Sequence, residues 1–377
     1  MKSIKYVGLD NIHYNIKPIM SLNEPFNFII SPREPGKSTQ AWLLLYRRFY
    51  EKDEKVIVFK RNIVDITDSY VDDIANLLNK FLRKCDRIKF VFAKGKIKEG
   101  VMNVYVFPEE QKKCICKTEN LFLRVIALSV PMIRIKSQML PNLEWMLFDE
   151  FICNTRLGEK YLPNEVFKFQ EIYNTFQRES KNLRAIFLGN PYSRYNPYFS
   201  WLGVDLQKIK IGSIIRVRSK YAIEFAKLSD ELREYILSKN PLYKFDDSYT
   251  KYAFEGQAIN DEGVELQPIQ PDRSVLLYVF KIHNKNVGVF KCNNNITNVD
   301  ADMDYLYWLK QMGDDYQTKR RYIVCFSLED LLSGAFLIDN SRLSRFSGLT
   351  MAFRNHLVGF KDLETYYLFE ELYEFMK

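Results

Sequence analysis

Two short stretches hold most of the residues able to do chemistry on a phosphate. The first, FNFIISPREPGKST at residues 26–39, ends in Gly36-Lys37-Ser38-Thr39. An apolar run feeding a turn that opens a helix aims backbone amides and the helix N-terminus at phosphate oxygens. Lys37 then reaches the terminal phosphates of a nucleotide, and Ser38 offers its hydroxyl to Mg²⁺. The candidate nucleotide contacts are Ser31, Arg33, Glu34, Pro35, Gly36, Lys37, Ser38 and Thr39. The loop departs from the usual form in three places. Ser31 stands where glycine normally opens it, Pro35 has no amide to donate, and Glu34 brings negative charge that Arg33 offsets. A lone GKST also arises by chance, so this stretch alone leaves a nucleotide site and an accident of composition both open.

The second stretch is Trp145-Met-Leu-Phe-Asp149-Glu150-Phe151, an acidic pair at the end of an apolar run. Here Asp149 would hold Mg²⁺ through water and complete the shell begun by Ser38. Glu150 would polarise the water that attacks the γ-phosphate. A second acid at this point is expected of an ATP-hydrolysing motor; the competing reading is a pair that caps the next helix. Asn190 ends a third apolar run, Ala185 to Gly189, and is either a polar sensor of the γ-phosphate or a turn residue before Pro191. Arg178, with Lys181 and Arg184 close by, is either an arginine finger for a neighbouring subunit or a solvated helix end.

These residues need elements to position them. Phe26–Ile30, Lys55–Lys60, Leu121–Leu128, Trp145–Phe148 and Arg184–Leu188 read as buried strands, and Met102–Phe107 as one strand of a hairpin. Ala41–Tyr46 reads as a buried helix. Strands alternating with helices predict an α/β domain with a largely parallel sheet. Past residue 205 the pattern predicts a helix over 222–244, a polar linker from Phe245 to Gly263, and a hairpin of Ser274–Ile282 with Val287–Phe290. A last helix spans Leu363–Met376. The expected domains are residues 1–205 for the ATPase, 206–261 for a helical linker or lid, and 262–377 for a smaller α+β domain.

The 377 residues exceed what one compact core usually holds. A net charge of +8 is compatible with a polyanionic partner without requiring one. The N-terminal residues lack an apolar signal-peptide core, and no apolar run approaches 20 residues, so no membrane span is expected. Six cysteines without paired CxxC spacing read as free thiols of a reducing cytosol, and three scattered histidines argue against a multi-histidine metal site. Lys60-Arg61 and the run Lys94-Gly-Lys96-Ile-Lys98 are candidate contacts to nucleic-acid phosphates, although each also fits ordinary solvated charge.

The order of these pieces resembles the DNA-packaging ATPases of the phi-twenty-nine type, from small tailed bacteriophages. Leu147-Phe-Asp-Glu-Phe-Ile152 followed by Tyr161-Leu-Pro-Asn-Glu-Val166 is similar to that family's Walker B block and the helix after it, and Asn196-Pro-Tyr-Phe199 fits as well. The resemblance implies a P-loop fold of the ASCE type and ATP with Mg²⁺ as cofactors. It gives Arg33 the place of the family's loop arginine, Arg178 that of its trans-acting finger, and Lys136 that of a lysine reaching the adjacent subunit. It also implies a pentameric ring on the portal vertex of a procapsid, acting on double-stranded DNA. The protein would work in the host cytoplasm, be absent from the mature virion, and in some systems meet a packaging RNA. The C-terminal domain would be RNase H-like without catalysis, since Ser274–Ile282 carries no acid. Asp300, Asp302 and Asp304 read as solvated surface, and Lys319-Arg320-Arg321 as a basic docking contact. The alternatives are a terminase-like enzyme that also cuts DNA and a nucleotide-gated scaffold without turnover.

Overall fold

The structure, a computed structural model, describes residues 13–33, 36–86, 90–94, 100–108, 118–136, 140–193, 196–204, 209–239, 266–282, 285–292, 305–313, 323–325, 336–337 and 340–376. Chain contacts divide it into two units, residues 1–198 with 205–260, and residues 199–204 with 261–377.

In the first unit a short helix α1 (Lys17–Ser21) precedes β1 (Phe26–Ile30) and the long helix α2 (Lys37–Lys52). Then come β2 (Lys55–Lys60), α3 (Asp68–Asp86), β3 (Phe90–Lys94), β4 (Val101–Pro108), β5 (Leu121–Ala127), α4 (Met132–Lys136) and β6 (Leu143–Asp149). α5 (Glu165–Gln177), β7 (Arg184–Gly189), β8 (Ser213–Val217), β9 (Tyr221–Phe225) and α7 (Asp230–Lys239) follow, and between β7 and β8 the helix α6 (Pro197–Leu202) spans the point where the chain leaves the first unit. The strands form one sheet in the order β3-β4-β5-β2-β6-β7-β1-β9-β8. Its centre, from β5 to β9, is parallel throughout, and antiparallel strands close both edges. Continuous apolar runs such as Val56–Phe59 are buried on both faces, as parallel strands require.

One expectation fails here. Residues 222–225, expected as the start of a helix in a helical linker, are a strand paired in parallel with β1. Tyr-Ala-Ile-Glu-Phe alternates too little to betray its period, and sheet pairing overrides it. Helix begins only at Asp230. The linker expected from Phe245 to Gly263 lies outside the described residues.

In the second unit β10 (Val275–Ile282), β11 (Lys285–Lys291), β12 (Tyr307–Met312), β13 (Ile323–Cys325), β14 (Phe336–Leu337) and β15 (Val358–Phe360) form a sheet ordered β14-β13-β10-β11-β12-β15. β10, β11 and β12 are antiparallel, while β13 runs parallel to β10 and β14 parallel to β13. Three antiparallel strands with two parallel strands beside the first give the RNase H-like sheet. The first of them, Val-Leu-Leu-Tyr-Val-Phe-Lys-Ile, bears no acid. The clusters Asp300–Asp304 and Lys319–Arg321 lie outside the described residues.

Candidate active site

Four strand ends meet at one edge of the first sheet, where open α/β sheets bind ligands. β7 lies between β1 and β6, so its end sits beside both the loop after β1 and the acidic pair after β6. The register sets Ile30 opposite Gly189, Leu188 opposite Asp149, and Phe59 opposite Phe148. Below these ends, aromatic rings pack tightly: Phe28 stacks on Phe187 at 4.3 Å, and Phe151 meets Phe28 edge-on at 5.6 Å. Gly189 is fixed by that packing, since a Cβ there would come within 2.8 Å of the Phe151 ring.

Ser31 behaves as strand rather than loop. It is fully buried, its amide donates to the Gly189 carbonyl (3.2 Å), and its hydroxyl donates to the Pro32 carbonyl (3.0 Å). The missing opening glycine is thus compatible with the fold, because this amide extends the β1–β7 ladder. Glu34 and Pro35 lie outside the described residues. Gly36 has φ +90°, a left-handed conformation that glycine alone adopts cheaply, and it starts α2. Thr39 follows on the same helix, half-buried.

Lys37 is 8% exposed, and its Nζ donates to Asn190 Oδ1 at 2.6 Å. Burial pulls its pKa down to about 8; Asp149 and Glu150 oppose the shift and the Arg33 charge adds to it. The positive end of α2 also disfavours a cation there. An anion at this point would relieve all three penalties. Arg33 donates to the Tyr192 hydroxyl at 3.0 Å. The Asn190 amide nitrogen donates to the same oxygen at 3.2 Å.

The Ser38 hydroxyl donates to Asp149 Oδ1 at 3.5 Å. Desolvation pushes the Asp149 carboxyl above its ordinary value, with Glu150 adding to the rise and Lys60 and Lys37 opposing it. Glu150 is exposed and holds φ +63°, a strained conformation for a residue with a side chain. The Tyr70 hydroxyl, from α3, is buried without a hydrogen-bond partner among the described residues, and desolvation together with the charges of Asp149 and Glu150 raises its pKa well above the usual. A hydroxyl, a carboxylate and an orphaned phenol are hard oxygen groups, and they fit hydrated Mg²⁺. Among the described residues no cluster of three or more His, Cys, Asp or Glu could hold a metal by itself.

Arg61 corrects an expectation. It is buried, not a DNA-facing loop cation: Nε and Nη2 reach the Glu165 carboxylate at 2.8 and 3.0 Å. Nη2 also donates to the Phe151 carbonyl (3.0 Å) and Nη1 to that of Glu150 (3.4 Å). Burial opposes its charge, yet Glu165 outweighs the penalty and the guanidinium titrates above its ordinary value. Tyr198 donates to the other side of the same carboxylate at 2.9 Å. Lys60 is likewise drawn to the acids: its ammonium lies 3.9 Å from the centre of the Tyr70 ring, close enough to Asp149 to lower that carboxyl. Beyond Asp149 and Glu150 opens a cavity of about 420 Å³, walled also by Lys60, Asp65, Glu159 and Lys160. The Lys94 backbone ends β3. Its side chain, and Lys96 and Lys98, lie outside the described residues.

Lys136 and Arg178 stand apart from this cluster. Lys136 ends α4 and pairs at 2.9 Å with Glu171 of α5, both side chains about 40% exposed (42% and 38%). Arg178 is exposed at the C-cap of α5. Sequence reasoning missed Tyr192, Tyr70, Glu165 and Tyr198. Glu165 and Tyr198 stand within stretches that carry the resemblance, but as an acid opening a helix Glu165 reads as a cap rather than as the partner of an arginine 104 residues away.

The model of the Podovirus DNA encapsidation proteins (Gp16) matches residues 9–377. The chain belongs to that family. A DNA packaging protein of Bacillus phage B103 is 24% identical over 329 residues, covering 85% of this chain and 88% of that one. The DNA packaging protein of Bacillus phage phi29 is 25% identical over 191 residues. There the match takes in 50% of this chain and about half (49%) of the relative's length. In fold, the chain is similar to a protein in the bacteriophage Phi-29 viral genome packaging motor assembly. The TM-score is 0.61 at 21% identity, over 97% of this chain and 100% of that one. The Phi-28 gp11 DNA packaging motor gives 0.59 at 14% identity, over 98% and 97%. Among the described residues no helix is long and apolar enough to cross a membrane.

Proposed function

We propose that this protein is the ATPase of a phage genome-packaging motor, coupling ATP hydrolysis to movement of double-stranded DNA into a procapsid. The convergence of Lys37, Ser38, Asp149 and Asn190 at one sheet edge carries the reading, with Glu150 next in the chain. Lys37 and the amides at the start of α2 bind the β- and γ-phosphates. Ser38 and Asp149 hold Mg²⁺, which when bound neutralises charge on the transferring phosphoryl group. Glu150 takes the proton of the attacking water, and Asn190 Oδ1, which already accepts from Lys37, orients that water with its second lone pair. Arg178 of one copy enters the site of the next, with Lys136 beside it, so a ring is the working form. Such a ring, pentameric by analogy with the phi-twenty-nine type, would sit on the portal vertex in the host cytoplasm, with or without a packaging RNA. The RNase H-like unit, lacking acids on its first strand, serves docking rather than cutting.

The test is ATPase rate against protein concentration for the parent and for Arg178→Ala. A steep rise that the variant lacks is the expected result. A flat, near-zero rate in both, with procapsids and DNA supplied, would favour a nucleotide-gated scaffold instead.

A further inference from the structure

Tyr192 follows the strand end that carries Asn190, and nothing in its sequence context marks it. Its hydroxyl oxygen accepts from Arg33 Nη2 at 3.0 Å and from Asn190 Nδ2 at 3.2 Å. A phenol oxygen has two lone pairs, and these two donors use both. The consequence runs through the Asn190 amide. Lys37 and Arg33 are donor-only groups, so whatever lies between them must turn an acceptor toward each. With its nitrogen tied to Tyr192, the Asn190 amide keeps Oδ1 toward Lys37, at 2.6 Å. The result is a continuous run, Arg33 to Tyr192 to Asn190 to Lys37, joining the loop after β1 to the end of β7.

Two cations are thereby held near each other in a largely desolvated site, where Arg33 and burial both work against the charge on Lys37. Tyr192 and Lys37 are buried while Arg33 and Asn190 are half-buried, so water competes least for the bonds at the phenol and the ammonium. Holding charge and an oriented amide in place before the ligand arrives is preorganisation, which raises affinity for the group that fits. The oriented end of Asn190 faces Lys37 between β1 and β6, on the side of the site nearest the acidic pair. Lys37 serves the β- and γ-phosphates in the reading above, so a second donor fixed beside it, Arg33, is matched best by a ligand that carries the third phosphate.

We propose that Tyr192 is a positioning residue for triphosphate recognition: its hydroxyl holds Arg33 directly and, through Asn190 Oδ1, the Lys37 ammonium, so that two donors are set for the γ-phosphate and the site prefers ATP over ADP. The proposal rests on the ATPase reading above and extends it to the discrimination between substrate and product. In a motor this preference determines when product leaves and a new substrate enters. A residue acting only as packing would lower affinity for both nucleotides alike.

The experiment measures binding of Mg·ADP and of the slowly hydrolysed Mg·ATPγS to the full chain, by fluorescence of labelled nucleotide. It compares the parent, Tyr192→Phe, Arg33→Ala and the double variant, with thermal melts as a check on folding. Losing a hydrogen bond to a charged group predicts about tenfold weaker ATPγS binding in Tyr192→Phe, with ADP within about twofold of the parent. The double variant should lose less than the sum of the two single losses, because both substitutions break the Arg33–Tyr192 bond while Tyr192→Phe also frees the Asn190 amide. Should Tyr192→Phe fail to fold, Arg33→Lys, which keeps the charge but loses the directed guanidinium bond to the phenol, must still weaken ATPγS binding more than ADP binding. Equal losses for both nucleotides, or fully additive losses in the double variant, overturn the role of Tyr192 while leaving the ATPase reading intact. A folded parent that binds neither nucleotide overturns both.

Discussion

Arg61 and Glu165 form a buried two-pronged ion pair, 2.8 and 3.0 Å long, directly behind the backbone of Glu150 and Phe151. The same guanidinium donates to both of those carbonyls. Glu165 in turn accepts from the Leu162 amide at 2.9 Å and from the Tyr198 hydroxyl at 2.9 Å. The segment that carries Glu150 in its strained conformation is therefore held from below by a satisfied polar network.

Replacing Arg61 by methionine leaves the Glu165 charge buried without its counter-ion. The cost expected from broken buried pairs is about 3–5 kcal/mol of stability, read as a lowered midpoint in urea unfolding. Adding Glu165→Gln should recover part of that loss, since the stranded charge is then gone. If Arg61 instead contacted DNA, its removal would leave unfolding unchanged and reduce the salt slope of DNA binding by about one.

Glu150→Gln keeps the size of the side chain and removes its basicity. Hydrolysis should fall by about 10²–10⁴-fold, while affinity for ATPγS stays within about twofold of the parent. Hydrolysis at the parent rate would take the proton-accepting role away from Glu150.

Lys37 gives the site a pH dependence with a defined sign. Its pKa falls from 10.5 to about 8 on folding, mainly through burial, so between those values the unfolded chain holds a proton that the folded one has lost. Stability of the nucleotide-free protein therefore gains from Lys37 as pH rises through that window. Phosphate favours the protonated form, so ADP affinity is full below about pH 8 and weakens above it, by up to about tenfold per pH unit. Titrating labelled ADP from pH 7 to 9.5 checks this, and a flat profile would mean Lys37 stays protonated across the range.

Much of this site was legible in the sequence, and the parts that were not share a cause. Phe26–Ile30, Lys55–Lys60 and Leu363–Met376 have the same bounds in sequence and structure, because long buried runs state their period plainly. Gly36-Lys37-Ser38 and Asp149-Glu150 were legible because their chemistry is local to a strand end. Arg61 was misread since its charge is answered by Glu165, 104 residues on, and a lone basic dipeptide looks the same whether solvated or buried. Tyr192 was invisible for a related reason: its partner Arg33 is 159 residues away, and only the insertion of β7 between β1 and β6 brings them together. Residues 222–225 were read as helix because a short edge-side strand owes its conformation to β1, not to its own pattern.

Arg178 lies seven residues beyond Glu171 on α5, which is two helical turns, so both occupy one side of that helix. Glu171 in turn holds Lys136, in an exposed pair of the kind worth about 0–1 kcal/mol and readily exchanged for another partner. One face of the α4–α5 pair thus presents two cations that no contact among the described residues commits strongly to their own chain. If that face acts on a neighbouring copy, two defective chains should repair each other. A chain with Arg178→Ala retains its own Glu150, and a chain with Glu150→Gln still offers Arg178 to its neighbour. Each variant assembled alone should be nearly inactive, whereas equimolar mixing should restore a measurable fraction of the parent ATPase rate. Mixtures as inactive as the separate variants would place Arg178 in the service of its own chain and remove the argument for a site shared between subunits.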